Sequence, residues 1–435
     1  MSWRNDRVKN SVKDLVKFID ESPSCFHVIQ NAKDQFLEHG FIELEEKEHW
    51  NLEEGKSYFV IRNGSSMIAF HLPKKDFKGF HIVASHSDSP TYRIKEQPQM
   101  DVEKHYAKLN VERYGGMIPE TWFDRPLSVA GRIIIEETGQ IKDQLIHVDR
   151  DLLIIPNLAI HMSRSEQKVP LNPQKDMLPL CGGNLTKEAF EEMIAKEAGV
   201  LKEDILSYDL FLYNRMKGTT LGINEEFVAS PKLDDLECAF SSIQAMIQAD
   251  FSKDYVTMCA IFDNEEVGSG TKQGAGSTFM PEVLKRICYL SGKTEEEYMM
   301  AVSDSFMLSA DNAHAVHPNY QDKTDPTNRP YMNEGIVLKY NASQKYTTDA
   351  NSAALVKYLC KKEGINCQVF FNRSDMPGGS TLGNILTGQV SIKAADIGLP
   401  QLSMHSTYET AGCKDLDDMI TLMRSFYQIG KEVQI

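Results

Sequence analysis

Five stretches of this 435-residue chain carry side chains able to hold a metal ion. They are His86 and Asp88 in ASHSDSP, Asp234 in SPKLDDL, Glu265 and Glu266 in FDNEEVGSG, Asp311 in SADNAHAVHPNY, and His405 in LSMHS. Imidazole with carboxylate, and no thiolate, suits zinc, manganese or cobalt in a reactive site better than a closed structural zinc site. His86 and Asp88 are two residues apart, so on a strand they point the same way. One can bind a metal while the other orients it, because metal-bound histidine commonly donates its second N–H to a carboxylate. Glu265 and Glu266 are adjacent. On an extended backbone only one of them faces the metal, and the other is free to hold a proton, as a general base must. Taken singly, each stretch reads more readily as a polar strand end or a solvated pair, and it is the set together that suggests a metal site. Spacing alone leaves both readings open.

The elements around these residues favour a shared site. In α/β proteins, sites collect where loops leave the carboxyl ends of strands. Four of the five stretches directly follow an apolar, strand-like run, and Asp234 precedes a helix. The first forty residues read as two amphipathic helices broken at Ser22-Pro23 and ended by Gly40. SYFVIRNGSSMIAFHL reads as a hairpin turning at Asn63-Gly64. GFHIVASHSDSP is a buried strand running into a polar loop. Beyond residue 228, LDDLECAFSSIQAMIQA has helical periodicity and VTMCAIFD is a buried strand. FMPEVLKRICYLSG reads as a helix, MMAVSDSFMLSAD as a strand, TDANSAALVKYLCKKEG as a helix and NCQVFFN as a strand. DLDDMITLMRSFYQIGKEV reads as the final helix. Strands alternating with helices imply an α/β fold with a mainly parallel central sheet covered by helices on both faces. Between residues 96 and 227 the texture changes to short β-like runs, a long polar stretch (SRSEQKVPLNPQKDM) and one helix, KEAFEEMIAKEAG. The expected organisation is a discontinuous catalytic domain, 1–95 and 228–435, with a mostly β domain inserted at 96–227.

Composition narrows the function. Lys plus Arg is 47 and Asp plus Glu is 62, a formal charge of −15, which disfavours a nucleic-acid binder. No apolar run is long enough to span a membrane, and the charged start has no secretory h-region. The eight cysteines are scattered without a C-x-x-C pair, as expected of reduced thiols in a cytoplasmic protein. GSGTKQGAG (268–276) lacks the GK[ST] ending of a phosphate loop, and its glycines read better as a turn beside the Glu pair. No GxSxG elbow is present.

In order and form, ASHSDSP, SPKLDDL, DNEEVGSGT, SADNAHAVHPNY and LPQLSMHSTYE resemble the aspartyl aminopeptidase family, co-catalytic dizinc peptidases, and the resemblance spans essentially the whole chain. It looks like a bacterial member. The resemblance implies a zinc aminopeptidase-like fold with an inserted dimerisation domain. It implies two Zn²⁺ per subunit, with Co²⁺ or Mn²⁺ as alternatives. His86 and Asp311 would hold one metal, Glu266 and His405 the other, and Asp234 would bridge them. Asp88 would orient His86. Glu265 would be the general base toward a water shared by the two metals. IVLKYNASQKYTTD is similar to the segment that faces an acidic substrate side chain, implying Lys339 as the pocket cation and Tyr346 as a hydrogen-bond donor. In SDMPGGSTLG, Gly378 and Gly379 would permit close backbone approach, and Ser380 and Thr381 would supply hydroxyls. His161, in IPNLAIHMSR, would reach a neighbouring subunit's site and stabilise an oxyanion. Substrates would be peptides with a free N-terminus, preferably acidic, and the assembly a dodecamer built from dimers. Two departures stand out: Lys232 where eukaryotic members carry Arg, and STYETAG after His405. A dizinc deacylase shares the ligand logic but has no need of an ammonium site.

Overall fold

The computed structural model describes residues 2–163 and 170–430. A nine-stranded sheet forms its centre. In spatial order the strands are Ile42–Leu44, Lys56–Arg62, Ser66–Leu72, Tyr255–Phe262, Gly79–His86, Phe306–Ala310, Lys393–Gly398, Ile336–Lys339 and Cys367–Phe370. The four middle strands from Tyr255–Phe262 to Lys393–Gly398 are parallel to one another, as are the pairs at both edges. Antiparallel contacts flank this parallel centre.

Alternation along the central strands explains why they are buried at every position. Successive side chains point to opposite faces. In Gly79–His86, Val83 enters one core while Phe80, Ile82 and Ala84 enter the other. In Tyr255–Phe262, Cys259 and Ile261 join the first core, and Val256, Met258, Ala260 and Phe262 the second. Helices Ser2–Asp20, Cys25–Glu38, Leu233–Gln248, Ala350–Glu363 and Cys413–Tyr427 cover the first face. Helices Phe279–Leu290 and Leu382–Gln389 cover the second. This is the α/β sandwich expected of the sequence.

Local signals work where they are strong. Asp349 and Ser352 form a capping box at the start of helix Ala350–Glu363, and Gly364 ends it in the left-handed conformation. Asn63 and Gly64 both take positive φ in the expected hairpin. MMAVSDSFMLSAD corrects the expectation of one strand. Its first half closes helix Glu295–Ser303, and only Phe306–Ala310 is extended. Thr294 and Glu297 form a capping box there, and three glutamates in the first turn favour the positive end of the helix dipole. These signals lie upstream of the apolar run and outweigh it. Residues 164–169 of the polar stretch and 431–433 of the final helix lie outside the described residues.

A second sheet has six strands, in spatial order Gln140–His147, Leu127–Glu137, Ile205–Asn214, Thr91–Val102, Tyr106–Tyr114 and Leu180–Gly182, paired antiparallel throughout. It has its own core, in which Leu109, Val129, Ile133 and Leu210 meet Phe190 and Ile194 of helix Ala189–Ala198. A small third sheet links Thr219–Leu221 and Phe227–Ser230 to Glu409–Gly412, Pro400–Leu402 and Ala313–His314. Among the described residues, no helix is long and apolar enough to cross a membrane.

Candidate metal centre

The ends of the central strands and the third sheet converge on one cluster. His86 is the last residue of its strand and only 1% exposed. Its Nε2 lies 3.5 Å from Asp234 Oδ1. The other oxygen of that carboxylate, Oδ2, lies 3.4 Å from His405 Nε2. His405 Nε2 is in turn 3.5 Å from Glu266 Oε1. One carboxylate therefore shows a different oxygen to each imidazole. Ligand atoms fall within 4.8 Å of one another in three overlapping sets: His86, Asp234, Asp235 and Asp311; His86, Glu265 and Glu266; Asp234, Glu266 and His405. The structure thus brings together His86, Asp234, Glu265, Glu266, Asp311 and His405.

Local backbone geometry aims these groups. Asp234 sits at the start of helix Leu233–Gln248 with φ −84° and ψ 109°, outside helical space, so its side chain leaves the helix axis. Glu265 and Glu266 occupy a single 3₁₀ turn closed by Gly268 in the left-handed region. The backbone is therefore not extended there, and both carboxylates reach the cluster. A Cβ on Gly398 would stand 2.1 Å from the carbonyl oxygen of Asp311, so glycine is needed for the strand to pass this close.

A layer of hydrogen bonds holds the cluster from behind. Asp88 Oδ1 accepts the Glu265 N–H at 3.1 Å, and Oδ2 accepts the Glu266 N–H at 3.2 Å. Its carboxylate also accepts the Tyr114 hydroxyl at 2.6 Å and lies 3.3 Å from His86 Nδ1. Asp88 thus contacts both the histidine and the turn that carries the Glu pair. Three supporting residues are not apparent from spacing. Glu409 accepts the N–H of Asp234 at 3.0 Å on one oxygen and of His405 at 2.7 Å on the other. Asp235 Oδ2 accepts the His86 N–H at 3.2 Å. Tyr114 comes from the six-stranded sheet, where Gly115, at φ +77°, passes so close that a Cβ would lie 3.1 Å from Glu266 Cβ. The doublet in SPKLDDL and the YGGM sequence are the only local signals of these contacts.

The charges demand a cation. Asp234 Oδ1, Asp235 Oδ1 and Glu266 Oε1 are buried without a hydrogen-bond partner. Orphaned buried oxygens are costly unless something occupies them. Burial, reinforced by the neighbouring carboxylates, pushes Glu265 up to about 8 and Glu266 and Asp235 well above the usual carboxylate range. Asp234 is buried as well, yet the two imidazoles hold it below that range. Burial opposes the charge on His86, but the surrounding carboxylates raise its proton affinity well above the ordinary value. A divalent ion relieves this self-repulsion in the way those protons do. A donor set of carboxylates and imidazoles is the set that zinc accepts in catalytic sites.

The remaining candidates lie around or away from the cluster. Lys339 is 2% exposed; its ammonium donates to the carbonyls of Asp311 at 2.7 Å and Asn312 at 3.2 Å, and lies 3.6 Å from Asp311 Oδ2. The Tyr346 ring lies 5.2 Å from that ammonium. Gly378 is in close contact, since a Cβ would meet Asn372 at 2.2 Å, whereas the space beside Gly379 is open. Ser380 is exposed and donates to Asn384 at 2.7 Å. Thr381 is buried and donates to Asp396. His161 lies in the exposed helix Ile160–Ser163, outside the ligand sets of this chain.

The aminopeptidase I zinc metalloprotease (M18) family matches residues 18–427. A probable M18 family aminopeptidase 2 of Clostridium acetobutylicum is 44% identical over 428 residues, covering 96% of this chain and 98% of its own length. Aspartyl aminopeptidase 1 of Schizosaccharomyces pombe is 40% identical over 451 residues, covering 97% and 95%. The fold superposes with a TM-score of 0.94 on a structure from the cryo-EM complex of Ape4 and Nbr1, at 38% identity over 97% of this chain and 86% of that one. It superposes at 0.85 on the S. cerevisiae mApe1 dodecamer, at 27% identity over 98% and 97%. A family match over residues 18–427, with relatives at 44% and 40% identity over nearly the whole chain, makes this chain a member of the M18 family, a zinc-dependent aminopeptidase.

Proposed function

We propose that the chain is a dizinc aminopeptidase that prefers acidic N-terminal residues. The observation that carries this reading is the Asp234 carboxylate, with Oδ1 toward His86 and Oδ2 toward His405, the disposition a bridging ligand needs. His86 and Asp311 would hold one ion, and Glu266 and His405 the other. Bound there, the two ions supply Lewis acidity toward the scissile carbonyl and lower the pKa of the attacking water. Glu265 would accept the proton of that water and deliver it to the leaving amine, the work of a positioned general base. Asp88 keeps Glu265 and His86 in place.

Lys339 supplies the positive charge for an acidic side chain, with Tyr346 as a donor. What supports this is its present partner. A metal on Asp311 would withdraw much of the counter-charge of the Lys339 ammonium, leaving it on two backbone carbonyls with a net positive charge for a substrate carboxylate. Gly379 and Ser380 are exposed and would contact substrate backbone. His161 of a neighbouring copy would stabilise the oxyanion. Its exposure, flanked by Ile160 at 66% and Met162 at 69%, supports a role in contact with another chain. Residues 96–227 would form the dimerisation domain and the dimers a dodecamer, the state named for mApe1. Eight free cysteines fit work in the cytoplasm.

The test is hydrolysis of aminoacyl substrates bearing Asp, Glu, Leu or Lys, with an N-acetylated control, with and without chelator. Chelator-sensitive cleavage of Asp and Glu is expected, with none of the blocked control. Preference for Leu would remove Lys339 from the specificity role. Cleavage of the blocked substrate would point to a deacylase.

A further inference from the structure

A cavity of about 390 Å³ lies between the six-stranded sheet, the turn joining the first two helices and the strand-end loops of the nine-stranded sheet. That volume falls in the range of small-ligand sites. Asp88, Asp234 and Glu409 form part of its wall, whereas His86, Glu265, Glu266, Asp311 and His405 do not. It therefore adjoins the metal cluster, sharing Asp234 with it, while most of the cluster's side chains face elsewhere.

The wall has two characters. Its apolar part is aromatic, with Phe26, Trp122 and Phe211 arriving from three separate elements. Its charged part is short of cations. Arg93 is taken by Asp209 at 2.7 Å, and Lys232 donates to the carbonyl oxygens of Ser22 and Ile19. Asp263, 3% exposed, accepts only from neutral donors, the Asn264 N–H at 2.7 Å, the Gln273 amide at 3.4 Å and the Ser65 hydroxyl, and burial beside the Asp88 carboxylate raises its proton affinity. A buried carboxylate with neutral hydrogen-bond donors, in a wall that also carries aromatic rings, complements an ammonium with an apolar body, although the Arg132 guanidinium already lies 4.4 Å over the Phe26 ring.

We propose that this cavity binds a small aromatic amine, its ammonium on Asp263 and its ring among Phe26, Trp122 and Phe211. Asp88 in the same wall carries the N–H groups of Glu265 and Glu266. An occupant therefore acts on the turn that bears the general base, a consequence that rests on the mechanism proposed above.

Calorimetric titration of the metal-loaded full chain with 2-phenylethylammonium and with its neutral counterpart, 2-phenylethanol, tests this. The ammonium should bind about tenfold or more tightly than the alcohol. Asp263→Asn should erase that preference while the alcohol still binds, which also shows that the cavity survives the substitution. Phe211→Leu should weaken both ligands. Inhibition of peptide hydrolysis by the amine should be non-competitive. Equal affinity for amine and alcohol, or a preference kept in Asp263→Asn, would overturn the proposal. So would competitive inhibition, which would move the amine to the catalytic cleft. The titration reads binding alone, so its outcome is separate from whether the substrate preference holds.

Discussion

The nine-stranded and six-stranded sheets solve opposite problems. In the first, strands Gly79–His86 and Tyr255–Phe262 are buried at every position, and their side chains are committed to two cores. Only the strand ends remain free, and there His86, the Glu265–Glu266 turn and Asp311 emerge. In the second, strand Tyr106–Tyr114 alternates, with Ala107, Leu109 and Val111 buried and the residues between them more exposed. Strand Gln140–His147 exposes its first four residues, with Ile141 at 72%. A sheet buried on both faces can offer chemistry only at its edges and ends. A half-exposed sheet has a whole face to offer to another chain. The cavity and Tyr114 lie where the two meet.

The sharpest way to probe this division is Glu265→Gln. It should lower kcat by about 10²–10⁴, the usual contribution of a positioned base, while elemental analysis finds the metal content unchanged. Retained turnover would remove the base from the strand-end site. The next effect crosses the boundary between the regions. His161→Phe should cost about 10²–10³ in kcat if the residue donates to an oxyanion. Mixing His161→Phe subunits with Glu265→Gln subunits should then restore part of the activity, because some sites receive an intact histidine and an intact base from different chains. Failure of the mixture to regain activity would confine His161 to its own chain.

The supporting hydrogen bonds should give intermediate effects. Glu409→Gln keeps an acceptor for one of the two N–H groups and loses the other. Metal affinity should fall about 10- to 100-fold, as for other groups that orient ligands, and metal-buffer titration would read it. An unchanged affinity would mean that Asp234 and His405 are held by their own loops. The smallest pair of effects lies within the six-stranded sheet. Ile133→Ala, at a fully buried position, should cost about 2–5 kcal/mol in chemical denaturation. Ile141→Ala should stay within about 0.5 kcal/mol. A large loss at Ile141 would mean that its exposed face is already covered in the assembly.

Much of the fold is legible in the chain because its signals are local. The capping of Ala350–Glu363 by Asp349 and Gly364 lies within two turns of the helix it bounds. Burial on both faces of the central sheet follows from unbroken apolar runs such as HIVAS and VTMCAIF. Where local signals compete, as in MMAVSDSFMLSAD, an upstream cap decides against the apolar run. The gathering of His86, Asp234, Glu265, Glu266, Asp311 and His405 is partly legible too. Strand-end carboxylates and imidazoles of one type have a common destination in an α/β sheet.

By itself, then, the sequence determined which side chains stand at strand ends, which runs must be buried on both faces, and that no thiolate joins the cluster. Tertiary structure alone decided that the Asp234 carboxylate divides its oxygens between two imidazoles, and that Glu409 joins Asp234 to His405 across 175 and 4 residues of chain. It also decided that Lys339 turns inward to Asp311, and that Tyr114 and Gly115 of the other sheet press on the Glu turn. The reason is one of range. Caps and periodicity act over a few residues, whereas each of these contacts forms only when two sheets and the loops between them have taken their places.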